Sequence, residues 1–550
     1  MSTLALALLA LAPQDFPSYG ANGQRNGRTD VIGPRAADVL WSSVGDSSII
    51  SWFPFVSGGD VFVVRQSGFP TTGGSAGDEI VARDLETGAV EWSTSLAFGG
   101  NADLEWISWI AGVENGIVYA SRSSNQRPNP IVALDAATGA FLWSTAYVGE
   151  AFAYDGVVFT DDGDLVVGDL DSVARIDGLA GATEWETDRT CPVSGNCGVA
   201  LFGDAVYLDE AAPGGNRVTR FDLATGARMY SSDVLVGFTD QNAPFCGPDG
   251  TIFFSRSQNN PLTDFLYAFD DDGSQIVERW NVPVRWTTSH EHGVGDDGSV
   301  YTFNPMDEFV RLDAATGAEI GNAGAILPPS TNNLSPMTVV DGSGKVYLSN
   351  GWGSSPPNLG RMWCFSADLS TLFFDLTLNR QNRGGPALAD DGVLVVADRS
   401  SVRAYREPEL GAPLCTMRVP NSTGNFGETV ARGSVDAADN RVLLTARNMP
   451  LNAFGYFLAS KGFNPVTPPG QSNPNFCLSG QIGRYAMNVQ SSGLEGRFQQ
   501  VVDLTDVPQP MGSVSAMAGE TWYFQAWHRD VGFGGMASSD FTHVIAVPLQ

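Results

Sequence analysis

The segment VARDLETGAVEW (81–92) decides the fold, because copies of it recur along most of the chain. The clear copies are VALDAATGAFLW (132–143), ARIDGLAGATEW (174–185), TRFDLATGARMY (219–230) and VRLDAATGAEIG (310–321). Looser copies are YAFDDDGSQIVERW (267–280) and CFSADLSTLFF (364–374). The aspartates that open successive copies, from Asp84 to Asp313, lie 42 to 51 residues apart. This period is typical of a four-stranded propeller blade and excludes the shorter helical repeats.

The shared D-x-x-T-G string predicts a hairpin turn. Its Asp and Thr side chains accept hydrogen bonds from turn amides, and its Gly supplies the positive φ that closes the hairpin. The aromatic residue four positions later, such as Trp92 after Gly88, lies on the outgoing strand. We expect its large ring to wedge between neighbouring sheets.

A second recurring pattern is a tight turn followed by alternating apolar residues, which predicts a further strand in each repeat. It occurs eight times, as GDVFVV (59–64), NGIVYA (115–120), DGVVFT (155–160), GDAVYL (203–208), DGTIFF (249–254), DGSVYT (297–302), GKVYLS (344–349) and DGVLVV (391–396). The strand VLWSSV (39–44) has no hairpin partner before it, and VRAY (402–405) has no tryptophan strand after it. Pairing these two strands completes an eighth blade and removes the open edges.

The composition restricts the class of partner and the compartment. A net charge of −30 at pH 7 disfavours nucleic acid and anionic membranes as partners. No stretch is apolar enough for a transmembrane helix. The N-terminal MSTLALALLALAPQ predicts a signal peptide over residues 1–12, so we expect a secreted, periplasmic or cell-surface bacterial protein.

The six cysteines fit an oxidising compartment. Cys191 and Cys197 are expected to close a small loop by a disulfide, and Cys415 and Cys477 to form a second one. Cys246 and Cys364 lie in separate repeats and are interpreted as buried free thiols.

The repeats resemble the pyrroloquinoline quinone-type propeller repeat, within the wider quinoprotein-like and WD40-like propellers. FPSYGANGQRNGRTDVIGP (16–34) also resembles the entry segment of exported propellers of this kind. The resemblance implies an eight-bladed propeller over residues 13–410, but the repeat builds blades and does not itself bind the quinone. One branch of the family is the quinoprotein dehydrogenases, which use a vicinal disulfide absent from this sequence. The other branch is non-catalytic and includes the propeller of the outer-membrane barrel-assembly machinery.

After residue 410 the repeat stops and short strands follow, which predicts a β-sandwich over residues 411–550. The expected strands are 441–447, 454–460, 498–504, 521–530 and 543–549. This region resembles a C-terminal module of large exported bacterial proteins. Its aromatic run Trp522, Tyr523, Phe524 and Trp527 is interpreted either as half core or as a sugar-stacking platform.

Candidate binding residues come from segments that lead into the innermost strand of each blade. His290 and His292 lie two apart, so on a strand both face one way, and a metal there needs a third ligand from another blade. Equivalent segments contribute Trp52, Trp106, Trp109, Tyr154, Asn242, Asn333 and Arg383. Together these side chains are expected to converge on one mouth of the central channel as a ligand pocket.

The sequence contains no catalytic motif, so no catalytic residue, metal ligand or cofactor is assigned. The Asp-rich strings at 160–171 and 269–275 do not fit a Ca²⁺-binding loop and are interpreted as hairpin turns. We predict an all-β, exported, non-catalytic scaffold, expected to be a monomer, that binds protein or carbohydrate partners. The alternative is a funnel-centred enzyme, either a quinone-dependent oxidoreductase or a polymer hydrolase.

Overall fold

A computed structural model of the chain describes most of residues 16–550. The described ranges are 16–44, 53–67, 77–96, 107–123, 129–149, 157–191, 197–236, 243–257, 263–285, 292–326, 336–350, 360–378, 382–398, 401–415, 419–464, 476–493, 496–531 and 537–550. The predicted signal peptide therefore lies outside the described residues. The chain divides into two compact units at Arg406, close to the boundary predicted after residue 410.

The all-β class is confirmed: within the described residues the regular structure is strands and two single-turn 3₁₀ helices, Asp390–Gly392 and Ala437–Asp439. No helix in this part of the chain is long and apolar enough to cross a membrane.

The described part of Gln14–Arg406 folds into eight antiparallel sheets, which we call blades 1 to 8. The strands of each blade, in sheet order, are Phe55–Ser57, Asp60–Arg65, Glu79–Asp84 and Val90–Ser95 in blade 1; Ile107–Glu114, Ile117–Ser123, Asn129–Asp135 and Phe141–Gly149 in blade 2; Val158–Phe159, Leu165–Gly168, Ser172–Ile176 and Thr183–Asp188 in blade 3; and Ala200–Phe202, Ala205–Ala212, Gly215–Asp222 and Arg228–Ser231, with Leu235–Val236 added beside the third, in blade 4. The list continues with Phe245–Cys246, Ile252–Ser257, Thr263–Asp271 and Ile276–Arg285 in blade 5; Gly293–Val294, Val300–Phe303, Glu308–Leu312 and Glu319–Ala325 in blade 6; Met337–Val340, Val346–Ser349, Arg361–Phe365 and Leu372–Thr377 in blade 7; and Asn382–Ala389, Val393–Asp398, Ser401–Arg406 and Asp38–Val44 in blade 8.

The first strands of adjacent blades contact one another, so they lie at the centre of the ring. Phe55–Ser57 of blade 1 touches both Ile107–Glu114 of blade 2 and Asn382–Ala389 of blade 8. Blade 8 takes its outer strand from the N-terminal part of the chain, with Val39 opposite Tyr405 and Ser43 opposite Val402. The first and last parts of the propeller sequence are therefore hydrogen-bonded to each other, which leaves no blade short of a strand.

The D-x-x-T-G turns have the hydrogen bonds expected of them. In blade 1, Asp84 Oδ1 accepts from the Thr87 amide at 2.7 Å, and the Gly88 amide donates to the Asp84 carbonyl at 2.8 Å. Gly88 has a φ of +69°, a conformation that favours glycine. In the repeats with this turn, the hydrogen bond from Thr225 lowers the pKa of Asp222, and that from Thr316 lowers the pKa of Asp313.

Each of these glycines also receives the tryptophan ring of the preceding blade. A Cβ on Gly88 would lie 2.5 Å from the ring of Trp41, and one on Gly317 would lie 2.8 Å from the ring of Trp280. Gly139, Gly181 and Gly226 meet Trp92, Trp143 and Trp185 in the same way. The indole N–H then donates to a carbonyl in the same turn, at 2.7 Å for Trp41 to Leu85, 2.8 Å for Trp92 to Ala136, 2.9 Å for Trp185 to Leu223 and 2.9 Å for Trp280 to Ala314. The repeat motif thus forms a contact between blades, in which one blade supplies the tryptophan and the next supplies the turn glycine.

Trp143 departs from this pattern. Its indole N–H has no hydrogen-bond partner among the described residues. The carbonyl in the equivalent position of the next turn, that of Gly178, instead accepts from the Tyr119 hydroxyl at 2.9 Å. The ring of Trp143 still packs on Gly181, so this junction keeps the packing contact but lacks the indole hydrogen bond.

In blade 3, the position predicted for one turn and the strand after it is wrong. Residues 155–160 were expected to form a turn and the strand after it, but Val158–Phe159 is the first strand of the blade. The turn comes later, where the Gly163 amide donates to the Thr160 carbonyl at 2.9 Å, and Leu165–Gly168 is the second strand. Two Asp-Gly pairs lie in this stretch, at 155–156 and 162–163. The turn forms at the second pair, where the Thr160 hydroxyl donates to Asp162 and accepts from the amide of Asp164.

The unit Glu407–Gln550 contains two main sheets. The first orders Glu409–Leu410, Glu428–Gly433, Val442–Arg447 and Phe498–Val502. The second orders Ala412–Leu414, Val544–Pro548, Thr521–Val531, Phe454–Phe463 and Leu478–Arg484, with Gln490–Ser491 and Ala537–Phe541 paired to its longer strands and a separate hairpin of Val507–Gln509 with Gly512–Val514. Residues of both sheets, among them Leu444, Phe498, Trp522 and Phe524, share one buried core, as in a sandwich.

The turn glycines generate a prediction about stability. Gly88→Ala is expected to destabilise the propeller by about 2–4 kcal/mol, because the new Cβ meets Trp41 and the residue keeps a positive φ. Gly116→Ala is the matched control: its φ is +74° and nothing lies within 4 Å of the new Cβ, so only the backbone cost of about 1 kcal/mol applies. Urea unfolding followed by tryptophan fluorescence measures both, and equal losses would contradict the packing role of Gly88.

Candidate functional site

The segment 16–34 links the first strands of six blades. It runs along the ends of the first strands, whose amides donate to its carbonyls. These hydrogen bonds are Val56 to Phe16 (3.0 Å), Val113 to Pro17 (2.7 Å), Leu201 to Gly23 (2.8 Å), Cys246 to Gln24 (2.9 Å), Val294 to Asn26 (2.9 Å) and Val340 to Gly27 (2.8 Å). Blades 1, 2, 4, 5, 6 and 7 are thereby joined to one continuous piece of chain, which satisfies amides that would otherwise need water.

Side chains of this segment add further contacts to these backbone hydrogen bonds. Asn26 is fully buried, and its amide group donates to the Cys246 carbonyl at 2.8 Å. Arg25 is 3% exposed, with its guanidinium 4.7 Å from the centre of the Tyr19 ring. The sequence marked this stretch only as a family resemblance; its hydrogen bonds to distant blades were not predictable from local residues.

A groove of about 710 Å³ lies between the segment 16–34 and the turns of blades 2, 3 and 4. Phe159, Leu201 and Phe202 supply its apolar surface. Glu114, Asp161 and Asp162 supply carboxylates, so we call it the acidic groove. It was not among the sites predicted from the sequence, because its walls come from four separate parts of the chain.

Among the described residues that line the acidic groove, the one arginine is already neutralised. Arg175 Nη2 lies 2.8 Å from Asp162 and 2.6 Å from Asp164, and its Nε lies 3.1 Å from Glu184. A hydrogen bond from Thr160, with the nearby charge of Arg175, lowers the pKa of Asp162. Partial burial raises the pKa of Glu114. Asp161 is exposed, so the groove offers carboxylate charge to solvent without a free counter-ion of its own.

Most of the side chains predicted at the channel mouth lie outside the described residues. These are Trp52, Trp106, Tyr154, Asn242, His290 and Asn333, and the side chain of Arg383, whose backbone belongs to the strand Asn382–Ala389. The ligand pocket proposed from them stays a prediction.

The two described members of that set are buried packing residues. Trp109 is 1% exposed and lies in the core between blades 2 and 3 with Tyr119 and Phe159. His292 is 3% exposed, and its ring stacks on Phe245 with centroids 5.0 Å apart. Burial lowers the pKa of His292 to about 4. Neither ring is presented to solvent as a pocket residue, because both point into the contact between neighbouring blades.

The cysteines lie in three environments. A disulfide joins Cys415 and Cys477 within the C-terminal unit. Cys246 and Cys364 are buried free thiols whose pKa values are raised by burial. Cys191 and Cys197 are buried with their sulfurs 2.7 Å apart, and their predicted pairing is taken up below.

The Asp-rich strings are hairpin turns in the structure. Asp272 accepts hydrogen bonds from the side chain and amide of Ser274, which lower its pKa to about 2. Asp169 accepts from the amides of Asp171 and Ser172 at 2.8 and 2.6 Å. Within the described ranges no three His, Cys, Asp or Glu side chains form a group able to hold a metal ion.

The aromatic run of the C-terminal unit packs on both faces of its strand. Trp522 and Phe524 are fully buried in the core shared by the two sheets. On the other face, Tyr523 stacks on Phe463 at 5.6 Å and Trp527 lies 5.0 Å from Tyr456. The rings therefore contact other rings, as the half-core interpretation expects.

Comparison with known proteins identifies the repeats. The family model described as outer membrane protein assembly factor BamB matches residues 76–321. The propeller is a pyrroloquinoline quinone-like repeat propeller. The matched stretch runs from blade 1 into blade 6 and contains the clear D-x-x-T-G copies. No curated protein sequence matches the chain.

The solved structures that are similar to this chain include two dehydrogenases and BamB. A europium-containing methanol dehydrogenase is 13% identical, over 70% of this chain and 89% of that one, with a TM-score of 0.50. BamB from Moraxella catarrhalis is 15% identical, over 68% of this chain and all of that one, with a TM-score of 0.47. A quinohemoprotein alcohol dehydrogenase from Comamonas testosteroni is 12% identical, over 74% and 83%, with a TM-score of 0.49. Identities this low reflect the fold alone and do not choose between a scaffold and a quinoprotein.

Burial of His292 predicts a pH-dependent stability. Below pH 6.5 the unfolded chain binds a proton at this position, whereas the folded propeller does not until about pH 4. Acidification from pH 6.5 to 4 therefore favours unfolding, by at most about 1.4 kcal/mol per pH unit. His292→Phe, which keeps a ring beside Phe245, is expected to lose this part of the acid sensitivity. Urea titrations across pH 7.5 to 4 measure it, and parallel curves for the two proteins would contradict the burial of a neutral imidazole.

Proposed function

We propose that this chain is an exported, non-catalytic propeller that binds a protein partner through the acidic groove. The observation that carries the proposal is the unbalanced charge of the groove. Glu114, Asp161 and Asp162 line it, while Arg175 is shared among Asp162, Asp164 and Glu184. An extended, basic segment of a partner would supply the missing cations.

The shape of the groove supports a peptide-like ligand. It is open to solvent and has apolar walls at Phe159 and Phe202 beside its carboxylates. A lysine- or arginine-containing segment matches this mixture, because its aliphatic stems pack on the aromatic rings while its charges meet the carboxylates. A glycan partner has less support, since Trp522 and Phe524 are buried and Tyr523 and Trp527 contact other rings.

The rigid construction of this surface also supports a binding role. Segment 16–34 is held by hydrogen bonds to six blades, so the groove is formed before the ligand arrives. Export is proposed from the predicted signal peptide and is supported by the Cys415–Cys477 disulfide, which persists in oxidising compartments.

Binding of a basic peptide tests the proposal. A fluorescent peptide of alternating lysine and leucine is expected to bind the full chain, and the affinity is expected to fall with added salt. Glu114→Gln with Asp161→Asn is expected to weaken binding by roughly fivefold to tenfold. Glu91→Gln with Glu278→Gln, on the exposed outer strands of blades 1 and 5, is the control for the same change in net charge and is expected to change little. Equal binding by all three proteins would contradict the role of the groove.

The funnel enzyme is tested separately. Pyrroloquinoline quinone with Ca²⁺ is added to the chain, and quinone absorbance and dye reduction are followed. The scaffold proposal predicts neither signal. Saturable quinone binding with dye reduction would replace it by an oxidoreductase, whatever the peptide result.

A further inference from the structure

Cys191 and Cys197 lie at the two ends of the connection between blades 3 and 4. Cys191 follows the outer strand Thr183–Asp188, and Cys197 precedes the first strand Ala200–Phe202. Both side chains are buried, at 9% and 1% exposed. Five residues separate them in the sequence, so a link between the two sulfurs would close a small local loop.

The sulfurs are too close for two separate thiols. Their Sγ atoms lie 2.7 Å apart, whereas non-bonded heavy atoms pack at about 3.5 Å or more. A disulfide bond is about 2.05 Å long. We propose that Cys191 and Cys197 form a disulfide in the mature protein, as a second oxidised pair beside Cys415–Cys477.

The surrounding backbone brings the two cysteines together without the bond. The Cys191 amide donates to the Leu170 carbonyl at 2.9 Å, and the Ala211 amide donates to the Thr190 carbonyl at 2.9 Å. From the other side, Arg189 Nη1 donates to the Cys197 carbonyl at 2.8 Å. Both ends of the connection are therefore fixed by blades 3 and 4, and oxidation needs only a small movement.

The bond would also protect a buried charge pair. Arg189 and Asp209 have fully buried side chains, with Nη2 and Oδ1 3.5 Å apart. Arg189 additionally donates to the carbonyls of Cys197 and Asp209. Because a buried guanidinium that loses an acceptor is costly, holding Cys197 in place stabilises the contact between the two blades.

The proposed reaction is a thiol–disulfide exchange. The two thiols lose two protons and two electrons, and one S–S bond forms between Cys191 and Cys197. The oxidant is a disulfide, either of an exported oxidoreductase or of glutathione, and its own S–S bond is reduced to two thiols.

A thiol count tests the proposal on the full chain. The protein is prepared in an oxidising compartment, denatured in guanidinium without reductant, and titrated with a thiol reagent. The expected count is two, from Cys246 and Cys364. In a non-reduced tryptic digest, the peptide 190–217 is expected to be lighter by two hydrogen atoms than after reduction. A count of four, with that peptide at its dithiol mass, would overturn the proposal.

The Cys191→Ser/Cys197→Ser double variant supplies the control. If the pair is oxidised, removing it leaves the count at two. If the pair is free, the count falls by two relative to the unaltered protein, which again overturns the proposal. The count is made on denatured protein, so it is decisive even for a variant that folds poorly.

Discussion

At five of the eight junctions between described blades, a tryptophan of one blade lies on a turn glycine of the next. The glycine has no Cβ because the ring of the preceding blade occupies that space, as Trp41 does at Gly88. The indole N–H then donates to a carbonyl of the same turn. At this position the turn's positive φ and the ring packing of the neighbouring blade depend on the same glycine. The contact between Trp41 of blade 8 and Gly88 of blade 1 applies this constraint to the junction where the ring closes.

The first strands, at the centre of the ring, also need hydrogen-bond partners for their backbone amides. Segment 16–34 supplies these partners by accepting hydrogen bonds from the first strands of six blades. The same segment becomes a wall of the acidic groove, beside Phe159 and Phe202. The hydrogen bonds that link six blades and one wall of the proposed binding surface thus come from the same segment of chain.

The repeat, the strand pairing at the ring closure and the five C-terminal strands were predictable, because each depends on local turn chemistry or apolar alternation. Blade 3 misled the prediction, since two Asp-Gly pairs compete and the side chain of Thr160 favours the second. Trp109 and His292 were expected at the channel mouth but are buried between blades, because sequence spacing does not tell which side of a first strand faces the next sheet. The acidic groove has no sequence signature, because its residues come from segment 16–34 and three separate blades and meet only in the folded propeller.

Hydrogen exchange with and without the basic peptide tests the central claim, that the acidic groove is a binding surface. Binding at the acidic groove is predicted to slow exchange of amides in residues 16–24, 157–164 and 200–203, with little change in the outer strands of blades 5 to 7. Saturating peptide that protects only residues away from these three ranges would contradict the account.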